Sequence, residues 1–587
     1  MAGGILMAAS GKKKKILLVA MPWQQADAPS LALGLLKAAL KESSLEAEAW
    51  LPAPRLARKM GSELYWRVAN QLHPLLGEAF FAAARRPDFP YERFERVLVE
   101  AGDLTAVQVA KTRRAVERFC RELREEQYWS NFEIVGFSVT FNQLQASLWA
   151  AEEARKTGGR VVFGGFLAQG ELGRELLNNG CLDAVIAGPG EEALGEWLKA
   201  NTPPGFMTGA PLHKWFRPDY GDFFENQPPR IRSAGTLLLE ASRGCEHGGC
   251  SFCAQNSRSG RTIKPVARLA EDLETFSRLY PARQLEFADT SFPPESLTCS
   301  PLMTRLRKFA NYAECRALKD KEMAALARAG FQTVQIGVES LHTEVLRRMN
   351  KGTTLLDNIA CLRDSARHEL EIYYNIILDM PGTSRGELRE MVELLPWLHH
   401  LRPPSALVSF QLQRGSPIFK RPHRYGLKIT GHHPHHEFLT AGHPPFYFQF
   451  TALAPAMKSD LEAAHQAFSL WTGAYDYRRP FLTAKRLDHG LLISDRRSLG
   501  GDGPTGDYKL SGAAGEILWA CRQIQAAESL AGRWGPAFQA AADELTRRKL
   551  WLMEDGRYLA LPVGLPKSGC LPRKKKPAPL ESCFAPD

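Results

Sequence analysis

Three cysteines fall within nine positions, and they are the residues of this chain best suited to hold a metal centre. Cys245, Cys250 and Cys253 follow an apolar run at residues 236–240 that predicts a buried strand, and the glycines between them let three thiolates converge. Four cysteines would close a zinc or iron–sulfur site, whereas three leave one metal position free. We interpret the loop as a three-cysteine iron–sulfur cluster with one open iron; the alternatives are a structural zinc site or three unrelated buried cysteines.

The chain after this loop predicts a partial barrel. Six strand–helix repeats are typical of a TIM-type barrel, whose chemistry lies at the carboxyl ends of the strands. The predicted strands cover residues 236–240, 284–288, 312–316, 333–338, 372–378 and 406–412. Asp289, Arg316 and Glu339 stand at or directly after later strand ends. Each alone could cap a helix or face solvent, but together with the cysteines they would converge on one mouth.

Residues 16–200 predict a second α/β unit. Apolar runs at residues 16–21, 134–140, 161–165 and 184–188 alternate with helical patterns, as in a parallel sheet flanked by helices, and a helical insertion covers about residues 56–128. The strands end in small or hydroxyl residues. In an open α/β sheet these ends form the ligand crevice, where small residues let a bulky ligand approach the backbone.

Composition indicates a soluble globular protein of several domains, since 44% of its 587 residues are hydrophobic and 24% are charged. The net charge of +11 arises partly from basic runs at residues 12–15 and 573–576, which we interpret as solvated tails rather than nucleic-acid contacts. The total of 11 cysteines is odd and the others are scattered, which predicts a reducing, cytoplasmic compartment. No apolar run approaches the length of a membrane span.

The first unit resembles the cobalamin-binding domain of cobalamin-dependent radical SAM enzymes. Ser138-x-Thr140 is similar to the family motif for the buried nucleotide tail, and Gly164-Gly165 to its paired glycines. The resemblance implies that cobalamin contacts Pro22, Ser138, Thr140, Gly164, Gly165, Gly190 and Glu191. The first loop lacks the Asp-x-His-x-x-Gly motif of methionine-synthase-like domains, whose histidine binds cobalt. The resemblance therefore implies a cobalt with no protein histidine below it.

The cysteine-containing loop resembles the cluster loop of the radical SAM superfamily. This resemblance implies a 4Fe–4S cluster on the three cysteines, with S-adenosylmethionine (SAM) on the open iron. It also implies SAM contacts from Phe252, Asp289, Arg316 and Glu339. The usual spacing is Cys-x3-Cys-x2-Cys, and the first gap here is one residue longer. Variants with a longer first gap occur among enzymes that modify ribosomally made peptides.

Within that superfamily, roughly residues 15–420 resemble the radical SAM C-methyltransferases of ribosomal-peptide (RiPP) maturation. The resemblance implies that a deoxyadenosyl radical abstracts hydrogen from an unactivated carbon, that methylcobalamin delivers the methyl group, and that a second SAM remethylates cobalamin. It implies a precursor peptide as substrate and an external electron donor such as flavodoxin or ferredoxin. Two alternatives remain: a radical SAM oxidation or rearrangement that uses cobalamin without methyl transfer, and a cobalamin- or nucleic-acid-binding regulator.

The last part of the chain is less informative. Four histidines at residues 432–436 could bind zinc or iron, but the surrounding proline and glycine favour a solvated loop. Residues 513–562 predict short helices and a hairpin, a winged-helix-like pattern that could bind DNA or a leader peptide, or could serve packing alone.

The expected fold class is therefore α/β, with a Rossmann-like cobalamin-binding domain, a partial (β/α)6 TIM-type radical SAM barrel and a small α+β C-terminal domain. We expect a basic tail at residues 1–14, the cobalamin-binding domain at 15–202 and a linker at 203–232. The radical SAM domain is expected at 233–440 and the C-terminal domain at 441–587, with a basic tail from residue 563.

Overall fold

A computed structural model describes residues 14–178, 180–200, 205–226, 235–255, 260–439, 443–452, 458–497 and 506–564. The two predicted basic tails lie almost wholly outside these ranges, as do residues 227–232 of the predicted linker. Across the described ranges, no helix is both long and apolar enough to cross a membrane.

The first unit is built on a six-stranded sheet in which all neighbouring strands run parallel. The strands are β1 (Lys14–Val19), β2 (Glu48–Trp50), β3 (Phe132–Ser138), β4 (Arg160–Gly164), β5 (Ala184–Ala187) and β6 (Gly205–Thr208). Their spatial order is β2-β1-β3-β4-β5-β6. Helices cover both faces, so the central strands are continuous apolar runs, which is why the sequence pattern predicted them.

Strand β6 corrects the predicted linker at residues 203–232. It pairs with β5 as an edge strand of the first sheet, so the first unit extends to at least residue 208. The following stretch also packs, since Phe216 and Tyr220 are buried. A four-residue edge strand has a neighbour on one side only and lies among prolines, so it carries no long apolar run that a sequence pattern could detect.

Helices flank the sheet and form the predicted insertion. They are α1 (Leu31–Glu42), α2 (Ala53–Met60), α3 (Ser62–Asn70), α4 (Pro74–Arg85), α5 (Tyr91–Glu100), α6 (Ala106–Glu125), α7 (Leu144–Lys156), α8 (Gly170–Leu177) and α9 (Glu191–Lys199). The hydroxyl of Ser30 caps α1 by accepting from the Leu33 N–H, and Thr105 and Gln108 form a capping box at α6. The insertion, α2 to α6, packs over one side of the sheet.

The second unit is an open barrel with six strand positions, as predicted. Its strands are β7 (Thr236–Leu239), β10 (Gln284–Phe287), β11 (Ala310–Arg316), β12 (Phe331–Gly337), β13 (Glu371–Tyr373), β14 (Asn375–Ile377) and β15 (Ala406–Val408), with β8 (Ser242–Arg243) and β9 (Thr262–Ile263) in the first loop. Strands β7, β10, β11, β12 and β13 form one parallel sheet, and β14 pairs with β15. The fifth position is thus interrupted at Tyr374, whose ring is buried.

The barrel helices alternate with these strands. They are α10 (Gly221–Glu225), which precedes β7, and α11 (Val266–Leu279), α12 (Ser300–Leu306), α13 (Asp320–Ala329), α14 (Thr343–Arg348), α15 (Leu355–Arg367) and α16 (Arg385–Leu398). Capping boxes begin two of them, with Thr354 and Asp357 at α15 and Ser384 and Glu387 at α16. Each box satisfies backbone N–H groups at the start of its helix, and so fixes where the helix begins.

Residues 412–452, the post-barrel segment, fold back over the first unit. They form the antiparallel strands β16 (Leu412–Gln413), β17 (Leu427–His432) and β18 (Tyr447–Ala452), with the short helix α17 (Pro417–Lys420) between the first two. The ring of Phe446 lies 5.1 Å from that of Phe141, and the ring of Phe438 lies 5.2 Å from that of Phe94. The predicted solvated histidine loop is therefore wrong: His433, His435 and His436 are half-buried against the insertion.

The C-terminal unit follows helix α18 (Lys458–Gly473). It contains the strands β19 (Leu482–Leu487), β20 (Gly490–Asp495), β21 (Gly506–Leu510), β22 (Gln525–Ala526), β23 (Trp551–Glu554), β24 (Arg557–Ala560) and β25 (Val563–Gly564), and the helices α19 (Gly512–Ala520), α20 (Ala527–Trp534) and α21 (Ala537–Arg547). Three helices followed by the β23–β24 hairpin have the predicted winged-helix order. The sheet of β21, β20, β19 and β25 was not predicted.

One arginine anchors this unit to the barrel. Arg363, on α15, is 4% exposed, and its guanidinium donates to the carbonyl oxygens of Ala560 (2.7 Å) and Arg522 (2.5 Å). It also pairs with the adjacent buried carboxylate of Asp364 at 2.8 Å. A buried guanidinium that satisfies two carbonyls and one carboxylate leaves all of them unpaired if it is removed.

We expect Arg363→Ala to lower the free energy of unfolding by about 3–5 kcal/mol, because it leaves a buried carboxylate without its cation. Thermal unfolding and limited proteolysis of the C-terminal unit measure this loss. The matched control is Arg367→Ala on the same helix. Arg367 pairs with Asp320, and because their side chains are 40% and 37% exposed, this ion pair should contribute at most about 1 kcal/mol. Equal effects of the two substitutions would contradict the anchoring role.

Candidate functional site

The three cysteines lie on the loop that follows β7, at the carboxyl ends of the barrel strands. We call residues 244–253 the cysteine loop. Pairing of β8 with β9 closes its base, and all three thiols are half-buried and free. Gly244 has a φ of +87°, and a side chain there would collide with the backbone of Gly260. Only glycine suits the point at which the loop crosses its own base.

The longer first gap is held by contacts on both sides. Glu246 pairs with Arg316 at the end of β11 and with Arg261, the latter at 2.9 Å. The imidazole of His247 donates from Nε2 to the Asn350 carbonyl at 2.5 Å. The additional residue therefore lies in a loop whose polar side chains are engaged, and the Cys250-x2-Cys253 turn is undisturbed.

The turn after α14 forms hydrogen bonds with the cysteine loop. The Ser251 N–H donates to the Met349 carbonyl at 2.8 Å, and the Ser251 hydroxyl donates to the Arg348 carbonyl at 3.1 Å. The Asn350 side-chain amide donates to the Gly249 carbonyl at 2.7 Å. These hydrogen bonds hold the residues on both sides of Cys250 and so fix the position of that cysteine.

A lysine that the sequence analysis did not identify lies beside the cysteines. The ammonium of Lys351 pairs with Glu339 at 2.9 Å and lies 5.9 Å from the centre of the Phe252 ring. Burial raises the pKa of the Cys250 thiol to about 11, and the positive charge of Lys351 opposes that shift. The Cys250 thiol is thus protonated unless a metal centre takes it as a thiolate, which releases its proton.

The spacing of the three sulfur atoms argues against a single metal ion. In the described part of the chain, only three histidines bring three potential ligand atoms within 4.8 Å of one another. The three cysteine sulfurs do not meet this distance. The cysteine sulfurs are therefore more widely spaced than ligands of one zinc ion. A 4Fe–4S cluster binds each cysteine to a different iron and suits this wider spacing.

Two of the predicted SAM contacts lie at this mouth with Phe252. Glu339 adopts a left-handed conformation, with φ of +62°, where β12 ends, and this turns its carboxylate toward Lys351. Arg316 is engaged with Glu246 and lies 3.9 Å from Glu322. The structure therefore brings Phe252, Arg316 and Glu339 to the cysteine loop.

The fourth predicted SAM contact, Asp289, bonds to the residues that precede the cysteine loop. Its carboxylate is buried and accepts from the Ala241 N–H at 3.0 Å and from the Ser242 hydroxyl at 2.5 Å. Burial raises its pKa to about 6, although these two bonds oppose the shift. The carboxylate faces the backbone in front of the cysteine loop and positions that loop, and its contact with SAM stays a prediction.

The first sheet contains a cavity of about 340 Å³ at the carboxyl ends of β3, β4 and β5. Five of the predicted cobalamin contacts line it: Ser138, Gly164, Gly165, Gly190 and Glu191. A Cβ at Gly164 would meet nothing closer than the Ile186 carbonyl, at 3.6 Å, so the glycine opens space toward the cavity. Apart from Ser138 and the charged side chains of Glu191, Glu240 and Arg243, the wall is apolar, contributed mainly by helix α1 and the sheet, and suits a bulky ligand.

The other two predicted contacts lie outside this cavity. The Thr140 hydroxyl donates to the Gln143 side chain at 2.8 Å, and Pro22 is buried in the first loop. The Gln143 amide in turn donates to the Met21 carbonyl at 2.6 Å. These residues connect the loop after β1 to the loop after β3 and do not form the cavity wall. A motif of two or three residues does not show which neighbour its side chains will contact.

An ionic bridge joins the cavity to the cysteine loop. The guanidinium of Arg243 pairs with Glu191, on the cavity wall, and with Glu240, at the end of β7, the latter at 2.7 Å. Both carboxylates and the arginine line the cavity. The crevice of the first sheet and the mouth of the barrel therefore face each other across one buried charge network.

Carboxyl groups also line the barrel interior near this junction. Burial raises the pKa of Glu286 on β10 and of Glu314 on β11, and the charge of Glu286 further raises the pKa of Glu314. Asp27, from the first loop of the sheet, also has a pKa raised by burial. A charged residue inside an otherwise apolar strand, such as Glu286 or Glu314, is the sequence signal that could have revealed this lining.

The sequence model of the Radical SAM superfamily matches residues 239–395. This range contains the cysteine loop, Glu339 and Lys351, so this part of the chain is a radical SAM domain. Such a domain uses a 4Fe–4S cluster and SAM, with electrons from an external reductant. The cysteines present fit the cluster, as their spacing and half-buried position indicate.

Two relatives are named as methyltransferases. An uncharacterized methyltransferase of Pyrococcus horikoshii is 22% identical over 362 residues, which cover 56% of this chain and 74% of that protein. The bacteriochlorophyllide d C-12(1)-methyltransferase of Chlorobaculum tepidum is 25% identical over 175 residues, which cover 28% of this chain and 37% of that protein. The chain thus spans little more than a third of the second relative.

Two solved structures share the fold. The cobalamin-dependent SAM radical enzyme OxsB with aqua-cobalamin bound superposes with a TM-score of 0.51 at 14% identity, covering 79% of this chain and 67% of that one. The radical SAM methyltransferase TsrM from Kitasatospora setae, with tryptophan substrate and a SAM analogue bound, gives 0.50 at 14% identity, covering 79% and 90%. The α/β architecture of a Rossmann-like sheet followed by a radical SAM barrel is therefore confirmed.

We expect Lys351→Met to shift the midpoint potential of the cluster to more negative values by tens of millivolts, because it removes a positive charge and leaves Glu339 unpaired beside the cysteines. A redox titration of the reconstituted protein, followed by electron paramagnetic resonance, measures the shift. Lys321→Met removes an exposed lysine from the same domain and serves as the control. An unchanged potential in Lys351→Met would show that this charge does not act on the cluster.

Proposed function

We propose that this chain is a cobalamin-dependent radical SAM methyltransferase that methylates an unactivated carbon of a ribosomally made precursor peptide. The observation that carries the proposal is the ionic bridge from Arg243 to Glu191. It places a glycine-lined cavity of the first sheet against the cysteine loop of the barrel. A reaction that needs two cofactors at one substrate requires such a junction.

Cobalamin is the second cofactor that we propose, and the cavity supports it. A buried, largely apolar cavity of about 340 Å³ with glycines at the ends of the parallel strands suits the nucleotide tail of this cofactor. Gly164, Gly165 and Gly190 would let the tail approach the backbone, and Ser138 would offer a hydroxyl at the strand end. The first loop contains no histidine, so we propose no protein imidazole for the cobalt.

SAM would occupy the mouth beside the cysteine loop. Glu339 is the proposed acceptor for the amino group of SAM, and Lys351, which now neutralises that carboxylate, would shift toward the carboxylate of SAM. Phe252 would lie beside the adenine, and Arg316 would offer a cation at the rim. Asp289 would act through the backbone of residues 241–242, as a positioning residue.

When bound, the cluster and SAM would supply the radical and cobalamin the methyl group. The chain's own contribution would be to hold both cofactors and to exclude water from the space between them. The buried carboxyl groups of Glu286 and Glu314 lie inside the barrel and would bind hydrogen-bond donors of the substrate. A peptide backbone and its polar side chains are rich in such donors.

A second candidate is a radical oxidation or rearrangement in which cobalamin transfers no methyl group. The observation that favours it is that OxsB, which shares this fold, is named for its cobalamin and radical chemistry and not for methyl transfer. Fold alone serves both outcomes, so the reaction itself must distinguish them.

Methyl transfer is tested with the anaerobically reconstituted full chain, cobalamin, methyl-labelled SAM and any short precursor peptide found to be encoded beside the gene. We expect labelled peptide from the wild type and none from Cys250→Ala, which should also lose its complement of about four irons per chain. Cys299→Ala, which removes a half-buried cysteine outside the loop, is the matched control. Deoxyadenosine without labelled peptide would favour the second candidate, and a zinc-only protein would exclude both.

We expect Gly164→Val to reduce cobalamin retention at least about tenfold, because its side chain would project into the cavity while the fold accepts it, with 3.6 Å to the nearest carbonyl. The absorbance of protein-bound cobalamin after gel filtration measures retention. Gly473→Ala adds a methyl group where nothing lies within 4 Å and should retain cobalamin as the wild type does. Full retention by Gly164→Val, with iron content unchanged, would move cobalamin out of this cavity.

A further inference from the structure

Three imidazoles from distant parts of the chain meet away from the cysteine loop. His73 stands at the amino end of α4 in the insertion, and His433 and His435 flank a proline after β17 in the post-barrel segment. We call these three residues the histidine triad. The ring centres of His73 and His433 lie 4.3 Å apart, those of His433 and His435 4.6 Å, and those of His73 and His435 5.3 Å.

The arrangement offers ligand atoms. One ring nitrogen from each histidine lies within 4.8 Å of the other two. Nε2 of His73 and Nδ1 of His435 are buried and have no hydrogen-bond partner. An unpartnered buried polar atom is costly in a folded protein, and two of them in one cluster indicate that the cluster has a partner of its own.

Two hydrogen bonds hold ring nitrogens of the triad. Nδ1 of His73 accepts from the Leu75 N–H at 3.3 Å, and Nδ1 of His433 accepts from the His435 N–H at 3.3 Å. These bonds are long, so rotation of a ring or exchange of its tautomer costs little. A metal ion binds the neutral form of an imidazole, which an ordinary histidine largely adopts at neutral pH.

The neighbouring imidazoles are already engaged. Nε2 of His443 faces Glu78 at 3.2 Å, and Nε2 of His436 faces the His443 carbonyl at 3.1 Å. His432 is exposed at the end of β17. The triad is therefore set apart from the rest of the histidine-rich segment by both geometry and partners.

We propose that His73, His433 and His435 bind one Zn²⁺ ion, with water as the fourth ligand. Three neutral imidazoles suit zinc, whose bonds to nitrogen of about 2.0–2.1 Å require the ligand atoms to draw in to about 3.3 Å from one another. The His73 and His433 rings are now nearly parallel, with 13° between their planes, so binding would turn at least one of them until both lone pairs meet at the ion. The ion would cross-link the insertion of the first unit to the post-barrel segment, and so hold the two against each other independently of the cluster.

The test uses the full-length reconstituted protein, freed of loosely held metal by a chelator and titrated with Zn²⁺ alone. We expect one zinc per chain in addition to iron, and a rise in Tm on zinc binding. His73→Gln and His433→Gln should bind zinc at least about tenfold more weakly and lose the rise in Tm. A zinc-free Tm equal to that of the wild type shows that these variants fold.

Two controls make the result specific to the triad. His432→Gln, in the same tract but exposed, should bind zinc as the wild type does. Cys250→Ala should lose iron and keep zinc, which separates this site from the cysteine loop. A wild type that binds no zinc at micromolar free metal, or triad variants that keep it unchanged, would overturn the proposal.

Discussion

The guanidinium of Arg243 is the interaction on which the arrangement of the two halves depends. It lies between Glu240, at the end of the first barrel strand, and Glu191, at the start of the last helix of the first sheet. Glu240 is 4% exposed and Glu191 is 7% exposed, and a buried carboxylate without a cation beside it would destabilise the fold. Arg243 is two residues before Cys245. The position of the cavity of the first sheet relative to the cysteine loop is therefore set by one partly buried arginine between two buried carboxylates.

The sequence was most informative where local patterns are strong. Buried parallel strands are continuous apolar runs, so all six strand positions of the barrel were predicted, although the fifth is interrupted at Tyr374 and the sixth ends at Val408. The cysteines and the glycines of the first sheet were likewise visible, because ligand spacing and strand-end glycines are local features. Strand β6 was missed because a short edge strand among prolines lacks a detectable period.

Contacts between distant residues account for what sequence could not provide. The residues next to Lys351 in the sequence do not distinguish it from other lysines. Its role follows from its contacts with Glu339 and the cysteine loop, which form only in the folded chain. The carboxylate of Asp289 stands at the predicted strand end but turns toward the backbone, and side-chain direction after a strand is not encoded in spacing. His433 and His435 looked solvated because their partner, His73, lies far away in the chain.

The post-barrel segment has a consequence for the order of folding. Phe438, Leu439, Phe446 and Tyr447 belong to the same hydrophobic core as the first sheet and its insertion. During synthesis, the first unit emerges long before these residues and lacks part of its core until the whole barrel has been made. Such long-range completion slows folding and leaves apolar surface exposed in the interval. The first unit is thus not a self-sufficient module, and excising or transplanting it without residues 438–447 would leave an open hydrophobic face.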